Sequence, residues 1–130
     1  MGYFRAFYIR NHVCFYNDLL TADKKAFGGN TYMEMVSWLR CCTDLRNICA
    51  HYGRLYYRNF SAMPTGFDID ERQKRRLWGA VLSVRALYPS DEKWNKEFMP
   101  QIKSLFKEYK DDINLFHLAF PKKWEEKLKK

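Results

Sequence analysis

The chain has 130 residues, of which 47% are hydrophobic and 18% aromatic. A chain of this length and composition can bury a substantial core, so we expect one folded domain over residues 1–130 and exclude intrinsic disorder as its overall state. The net charge of +8 favours polyanionic partners such as nucleic acid or anionic lipid, without choosing between them.

The first predicted helix runs from Tyr3 to about Leu20, where aromatic and aliphatic residues recur at spacings of three and four. Arg5, Arg10 and Asp18 interrupt this stretch, so it is not apolar enough to span a membrane. The segment also lacks the succession of basic, apolar and small residues that a secretory signal has. We therefore expect a cytoplasmic protein with no membrane partner.

The second predicted helix begins at the capping-box sequence Thr31-Tyr32-Met33-Glu34. In a capping box the threonine hydroxyl accepts from the glutamate amide, while the glutamate side chain reaches back to the threonine amide. Apolar residues at helical spacing carry this helix to about Gly53, and the pattern can continue to Tyr57. This is the longest predicted helix.

Two further helices and a short terminal piece complete the predicted fold. Asp70 is expected to cap a third helix that Pro89 ends. Ser90 can cap the segment that follows, and an apolar stripe after Pro100 predicts a fourth helix. A short helical segment begins near Pro121, and the lysine-rich tail at 125–130 is expected to fray. The predicted class is all-α: an antiparallel bundle of four main helices with a short C-terminal helical segment.

A polar stripe marks the second predicted helix. At 100° per residue, several polar side chains fall within about 60° of Asn47 if the helix continues far enough: Arg40, Asp44, His51, Arg54 and Arg58. Asn47 and His51 are an i,i+4 pair, whereas Arg46 starts about 140° from His51 and must lean around the helix. These three side chains could converge on one phosphate. The alternative is an ordinary solvated face, with Arg40 and Asp44 as a surface ion pair.

Cysteine chemistry on this helix is disfavoured by geometry. Cys49 and His51 are two residues apart and point to nearly opposite sides of a helix, which argues against a nucleophilic Cys–His pair. A tetrahedral zinc site would need Cys41, Cys42, Cys49 and His51 to converge, and their spacing does not bring them together. We therefore expect neither a metal nor another cofactor.

Residues 46–58, RNICAHYGRLYYR, resemble the RN-x-CAH-x-x-RLWNR signature of the Abi-like (abortive infection, AbiD/AbiF-type) proteins, which belong to the HEPN superfamily of helical ribonucleases. The opening residues 2–8 resemble the FG-x-L-S-x-x-Y helix of that family, and residues 116–124 resemble its closing glycine-phenylalanine and tryptophan region. Tyr56-Tyr57 replace the Trp-Asn pair that the family places before the last arginine. The resemblance spans nearly the whole chain and implies a HEPN-like helical fold.

The resemblance implies a metal-independent endoribonuclease with three catalytic residues. Arg46 would neutralise the scissile phosphate, Asn47 would position the histidine or the phosphate, and His51 would transfer a proton at the 2'-hydroxyl or the leaving oxygen. Because RNA supplies its own nucleophile, the expected product is a 2',3'-cyclic phosphate. A histidine suits this step because the side chain ordinarily titrates near neutral pH.

RNA is the expected partner, and additional basic residues are candidates for holding its backbone: Arg54, Arg58, Arg72, Lys74, Arg75 and Arg76. The alternative for the last four is a solvated helix face. The resemblance also implies a homodimer with a composite active site, and a regulatory RNA or protein is a further potential partner. The alternative function is a non-catalytic HEPN-like module that binds RNA or protein and dimerises. Whether Arg46 and His51 face an open cleft or the core discriminates between the two functions.

Overall fold

The computed structural model describes residues 32–51 and 53–130, and that part of the chain contains helices and no strand. The elements in chain order are α1 (Tyr32–Ala50), α2 (Glu71–Lys74), α3 (Leu77–Leu87), α4 (Asp91–Lys93), a π-helix (Trp94–Phe98), α5 (Met99–Glu108), a 3-10 helix (Leu115–Leu118) and α6 (Trp124–Leu128). The predicted all-α class is confirmed for these residues. The first predicted helix and Thr31 of the predicted capping box lie outside them.

No helix in the described ranges is long and apolar enough to cross a membrane. The longest, α1, packs mainly against α3. The largest buried cluster joins α3, the π-helix, α5 and the C-terminal residues, with Trp78, Trp94, Phe120, Trp124 and Leu128 among its members. The core is therefore rich in tryptophan and phenylalanine, as the aromatic content of the sequence predicts.

The helix α1 ends at Ala50, so the predicted extension to Tyr57 is wrong. The Gly53 amide donates to the Ile48 carbonyl at 2.7 Å, which turns the chain away from the helix axis. A Cβ atom at Gly53 would lie 2.7 Å from Ile48 Cγ2, so glycine permits this close approach. Residues beyond Gly53 therefore do not continue the polar stripe of the helix.

The segment from 53 to 69, called here the return segment, runs back along α1. The Asp44 carboxylate accepts a hydrogen bond from the Ser61 amide at 3.0 Å. One and a half turns earlier on α1, Trp38 Nε1 donates to the Thr65 carbonyl at 2.9 Å. Because later residues of the return segment contact earlier residues of α1, the two run in opposite directions, and the segment covers one side of the helix.

The third predicted helix is interrupted between α2 and α3. Its predicted cap is confirmed, since the Asp70 side chain accepts from the Gln73 amide at 2.8 Å. At the interruption the Arg75 carbonyl accepts from the Phe60 amide at 2.7 Å, which ties the return segment to this junction. A Cβ at Gly79 would lie 2.8 Å from two carbonyl oxygens of α2. Glycine therefore allows α3 to begin tightly against the end of α2.

The predicted cap at Ser90 is confirmed, and the helical region that it begins starts ahead of the apolar stripe after Pro100. Ser90 caps α4 by accepting from the Lys93 amide at 3.2 Å, and α4, the π-helix and α5 follow one another directly. The π-helix ends just before Met99, and Pro100 lies in the first turn of α5. A proline lacks the N–H that donates a hydrogen bond inside an α-helix. The wider turn of the π-helix lies just before Pro100, where the α-helical hydrogen-bond pattern is interrupted.

The C-terminal tail is held in place, which corrects the expectation that residues 125–130 fray. Leu128 is fully buried, and its carbonyl accepts from Trp94 Nε1 at 2.8 Å and from Arg85 Nε at 2.9 Å. The Lys130 ammonium lies 3.2 Å from the Asp91 carboxylate. Local composition predicts fraying, but these tertiary partners satisfy the last carbonyls and keep the tail docked.

Candidate functional site

The motif residues Arg46, Asn47 and His51 lie on the surface at the carboxyl end of α1. All three are exposed. His51 follows the last residue of α1, and its amide still donates to the Asn47 carbonyl at 3.1 Å, so it continues the helical turn. Ile48, in the same turn, is buried against Phe60. This buried contact anchors the turn and leaves the motif side chains in solvent.

The side chains of Arg46 and Asn47 contact each other. Arg46 Nη1 donates to Asn47 Oδ1 at 3.0 Å, so the arginine leans along the helix toward the amide. A guanidinium carries five N–H donors, and this contact uses one of them. The remaining donors suit the oxygens of a phosphate group.

An open depression of about 400 Å³ lies beside the motif. Its walls come from α1 and from the return segment: Arg40, Thr43, Asp44, Asn47, Ser61 and Ala62. Because the Asp44 carboxylate accepts from the amides of Ser61 and Ala62, it holds the two walls together. Asn47 is thus shared by the motif and the depression, whereas Arg46 and His51 do not line it.

Arg54 and Arg58 lie on the return segment rather than on α1, so the predicted stripe does not include them. Both are exposed. Arg58 is two residues before Phe60, whose amide donates to the Arg75 carbonyl. The fold therefore brings the neighbourhood of Arg58 to the junction between α2 and α3. The Arg75 guanidinium forms an exposed ion pair with Glu71 at 3.1 Å.

The other basic residues of the predicted third helix do not share one surface role. Arg72 lies 4.1 Å from the centroid of the Phe116 ring and donates to the Phe116 carbonyl. Lys74 and Arg76 are half-buried, and Arg76 Nη1 is buried without a hydrogen-bond partner among the described residues. The four basic residues of 72–76 are therefore divided between different neighbours.

On α1, Cys41 is buried and Cys42 is half-buried, whereas Cys49 is exposed. Burial raises the pKa of the Cys41 thiol to about 11, although a hydrogen bond with Ser83 opposes the shift, and burial likewise raises the pKa of Cys42 to about 11. Both thiols therefore stay protonated at neutral pH and are poor nucleophiles. Over residues 32–51 and 53–130, no three His, Cys, Asp or Glu side chains are grouped to hold a metal ion.

Residues 4–57 match the family model for Abi-like proteins. The matched range contains Arg46, Asn47, His51 and Arg54 and ends one residue before Arg58. Residues 116–124, which resemble the closing region of that family, lie outside it. No curated protein and no solved structure matches the chain. The chain is thus similar to Abi-like proteins over residues 4–57.

Sequence reasoning missed a cluster of aromatic rings just beyond the motif. The ring centroids of Tyr57 and His117 are 4.5 Å apart, and those of Phe116 and His117 are 5.7 Å apart. Tyr57 is 60% exposed and Phe116 is 63% exposed. The sequence does show that Tyr56-Tyr57 replace the Trp-Asn pair of the signature. It does not show their contact with Phe116 and His117, because those rings lie about 60 residues later in the chain.

Proposed function

We propose that the protein is a metal-independent endoribonuclease of an abortive-infection system, with Arg46, Asn47 and His51 as its catalytic residues. The observation that carries the proposal is the RN-x-CAH-x-x-R signature, which lies within the range that matches Abi-like proteins. Its surface exposure supports the proposal, because a site for a polymer must be open to solvent. A HEPN-like bundle is the fold that we propose for the whole chain.

In this mechanism Arg46 binds the scissile phosphate and stabilises the charge that develops on its oxygens. Asn47 holds the guanidinium through its Oδ1 atom. His51 takes the proton from the 2'-hydroxyl, the 2'-oxygen attacks phosphorus, and the bond to the 5'-oxygen breaks as that oxygen takes a proton from water. His51 then returns its proton to solvent. The products are a 2',3'-cyclic phosphate and a 5'-hydroxyl, and the step needs no oxidant or reductant.

We also propose a homodimer in which two copies of the motif face each other across a two-fold axis. An exposed Arg46 and His51, with the depression beside Asn47 open on one side, leave room for a second copy to close the site. Closure would exclude water and strengthen the contacts to phosphate. Sedimentation velocity at high micromolar protein is expected to show a dimer; monomer alone would contradict this part of the proposal.

The RNA backbone would follow the exposed arginines near the motif. Arg54 and Arg58 on the return segment are the first candidates, and the exposed Arg72 and Arg75 are the next. Of these, Arg75 already pairs with Glu71, and the pair is exposed, so phosphate can compete for the guanidinium. The net charge of +8 would concentrate RNA at this surface.

The test is an RNA cleavage assay in EDTA with the full chain and with the double variant Arg46→Ala, His51→Ala. We expect the parent to cut single-stranded RNA without added metal and the double variant to be inactive, because the variant lacks both the phosphate clamp and the proton-transfer group. Equal cleavage by both proteins would overturn the proposal. RNA binding without cleavage by the parent would favour the non-catalytic module instead.

A further inference from the structure

We propose that the rings of Tyr57, Phe116 and His117, called here the aromatic platform, stack on an unpaired base of the RNA. The inference rests on the proposed function, since it names how the same protein holds single-stranded substrate beside its motif. Tyr57 and Phe116 are among the most exposed large apolar side chains in the described part of the chain. Both rings contact the ring of His117.

The aromatic platform is built before any ligand arrives. The Asn114 amide donates to the Tyr56 hydroxyl at 2.9 Å, and the Asn114 side chain accepts from the Phe116 amide at 3.0 Å. Tyr56 itself packs against the main core. These contacts fix the 3-10 helix against the return segment, so Tyr57 and Phe116 do not have to find each other when a base binds.

Tyr57 adopts a backbone conformation that side-chain-bearing residues rarely take, with φ at 62°. Such strain persists where the surrounding structure enforces it, and it is concentrated at functional sites. Here the strained conformation leaves the Tyr57 ring 60% exposed rather than burying it in the core. The Arg58 amide donates to the Leu55 carbonyl at 3.3 Å, so this conformation belongs to a turn that presents the Tyr57 ring to solvent.

Arginines accompany the rings of the aromatic platform. The Arg72 guanidinium lies over the Phe116 ring, 4.1 Å from its centroid, and leaves that residue 63% exposed. Arg54 and Arg58 are exposed and flank Tyr56-Tyr57 in sequence. Exposed rings set among arginines are the combination by which proteins bind single-stranded nucleic acid: the rings stack on bases and the arginines follow phosphates. Tyr57 is six residues beyond His51 in sequence, so the chain places it at most about 20 Å from that residue.

The test measures binding of a fluorescein-labelled oligouridylate and of an abasic oligomer of equal length to the full chain carrying His51→Ala, which prevents cleavage. In this background Tyr57→Gly and Phe116→Ala are each expected to weaken oligouridylate binding about tenfold. Binding of the abasic oligomer and the slope of log affinity against log salt should not change. Arg58→Gln should weaken both ligands equally and flatten the slope, as loss of a phosphate contact does.

Matched variants separate stacking from loss of structure. Glycine accepts the left-handed backbone of residue 57, so Tyr57→Gly removes the ring while relieving the strain. Tyr57→Phe and Phe116→Tyr keep a ring and should retain the parental affinity. Tyr109→Ala removes another exposed tyrosine, 44% exposed and outside the aromatic platform, and should bind both oligomers as the parent does.

Two results would overturn the aromatic platform. The first is unchanged oligouridylate affinity in both Tyr57→Gly and Phe116→Ala. The second is a shift from dimer to monomer in these variants with no base-dependent loss of affinity, which would assign the surface to a second copy of the chain. If the parent does not cleave RNA but binds oligouridylate through its bases, the aromatic platform stands and the nuclease proposal fails. If the parent cleaves RNA and both Tyr57→Gly and Phe116→Ala keep the parental oligouridylate affinity, the nuclease proposal stands and the aromatic platform fails.

Discussion

His51→Ala is expected to abolish RNA cleavage while leaving RNA affinity nearly unchanged. A positioned acid or base is typically worth about 10² to 10⁴ in rate, and a group that acts only in the transition state contributes little to ground-state binding. Because His51 is exposed, its truncation opens no cavity and should preserve the fold. Single-turnover cleavage rates and fluorescence anisotropy on one RNA separate the two effects.

Arg46→Ala serves as the contrasting variant and is expected to lower both the cleavage rate and the affinity. A guanidinium that clamps the phosphate acts in the ground state as well as on the developing charge. Arg46→Lys should recover affinity better than rate, since an ammonium lacks the planar donor fork. Cys49→Ala, an exposed change within the same signature, should behave as the parent. A His51→Ala protein that still cleaves at the parental rate would remove this residue from the mechanism.

Trp94→Ala is expected to destabilise the protein by about 3–5 kcal/mol, the usual range for truncating a buried aromatic side chain. Trp94 is fully buried, its ring stacks on Phe98 with centroids 4.1 Å apart, and its Nε1 donates to the Leu128 carbonyl. The variant should also release the C-terminal residues. Urea unfolding monitored by circular dichroism measures the free energy, and amide exchange reports the release of the tail.

Two further variants provide reference values for the loss of stability in Trp94→Ala. Trp94→Phe keeps a ring but loses the hydrogen bond to the Leu128 carbonyl, so we expect a smaller loss, about 1–2 kcal/mol. Phe116→Ala, at a largely exposed position, should change stability by less than about 1 kcal/mol, which also shows that the binding variant is folded. If Trp94→Ala is as stable as the parent, the contact between Trp94 and Leu128 does not hold the C-terminal residues in place.

The features of the fold that depend on neighbouring residues were predictable from the sequence. Helical periodicity located α1 and the helical regions that follow, and the caps at Asp70 and Ser90 are local hydrogen bonds between residues three apart. The end of α1 at Gly53 and the interruption before Gly79 were not predictable, because each depends on atoms that approach closely only in the folded chain. Periodicity alone continues through both positions.

The same division applies to the candidate site. The signature was readable because Arg46, Asn47 and His51 are close in sequence. In the structure all three are exposed at the carboxyl end of α1, and the side chains of Arg46 and Asn47 contact each other. The predicted polar stripe included Arg54 and Arg58 on the assumption of a longer helix, and this part of the prediction is wrong because α1 ends at Ala50. The aromatic platform depends on a contact between distant parts of the chain, which no local pattern encodes.

In the proposed reaction the 2'-hydroxyl of the RNA is the nucleophile at the Arg46–His51 site, without metal. The most direct measurement compares, in EDTA, a single-stranded RNA with an otherwise identical strand that has one 2'-deoxynucleotide at the cleaved position, followed by mass spectrometry of the ends. We expect the RNA to yield a 2',3'-cyclic phosphate and a 5'-hydroxyl, and the substituted strand to stay intact at that position. Cutting of the substituted strand there, or products ending in 3'-hydroxyl and 5'-phosphate, would contradict the account.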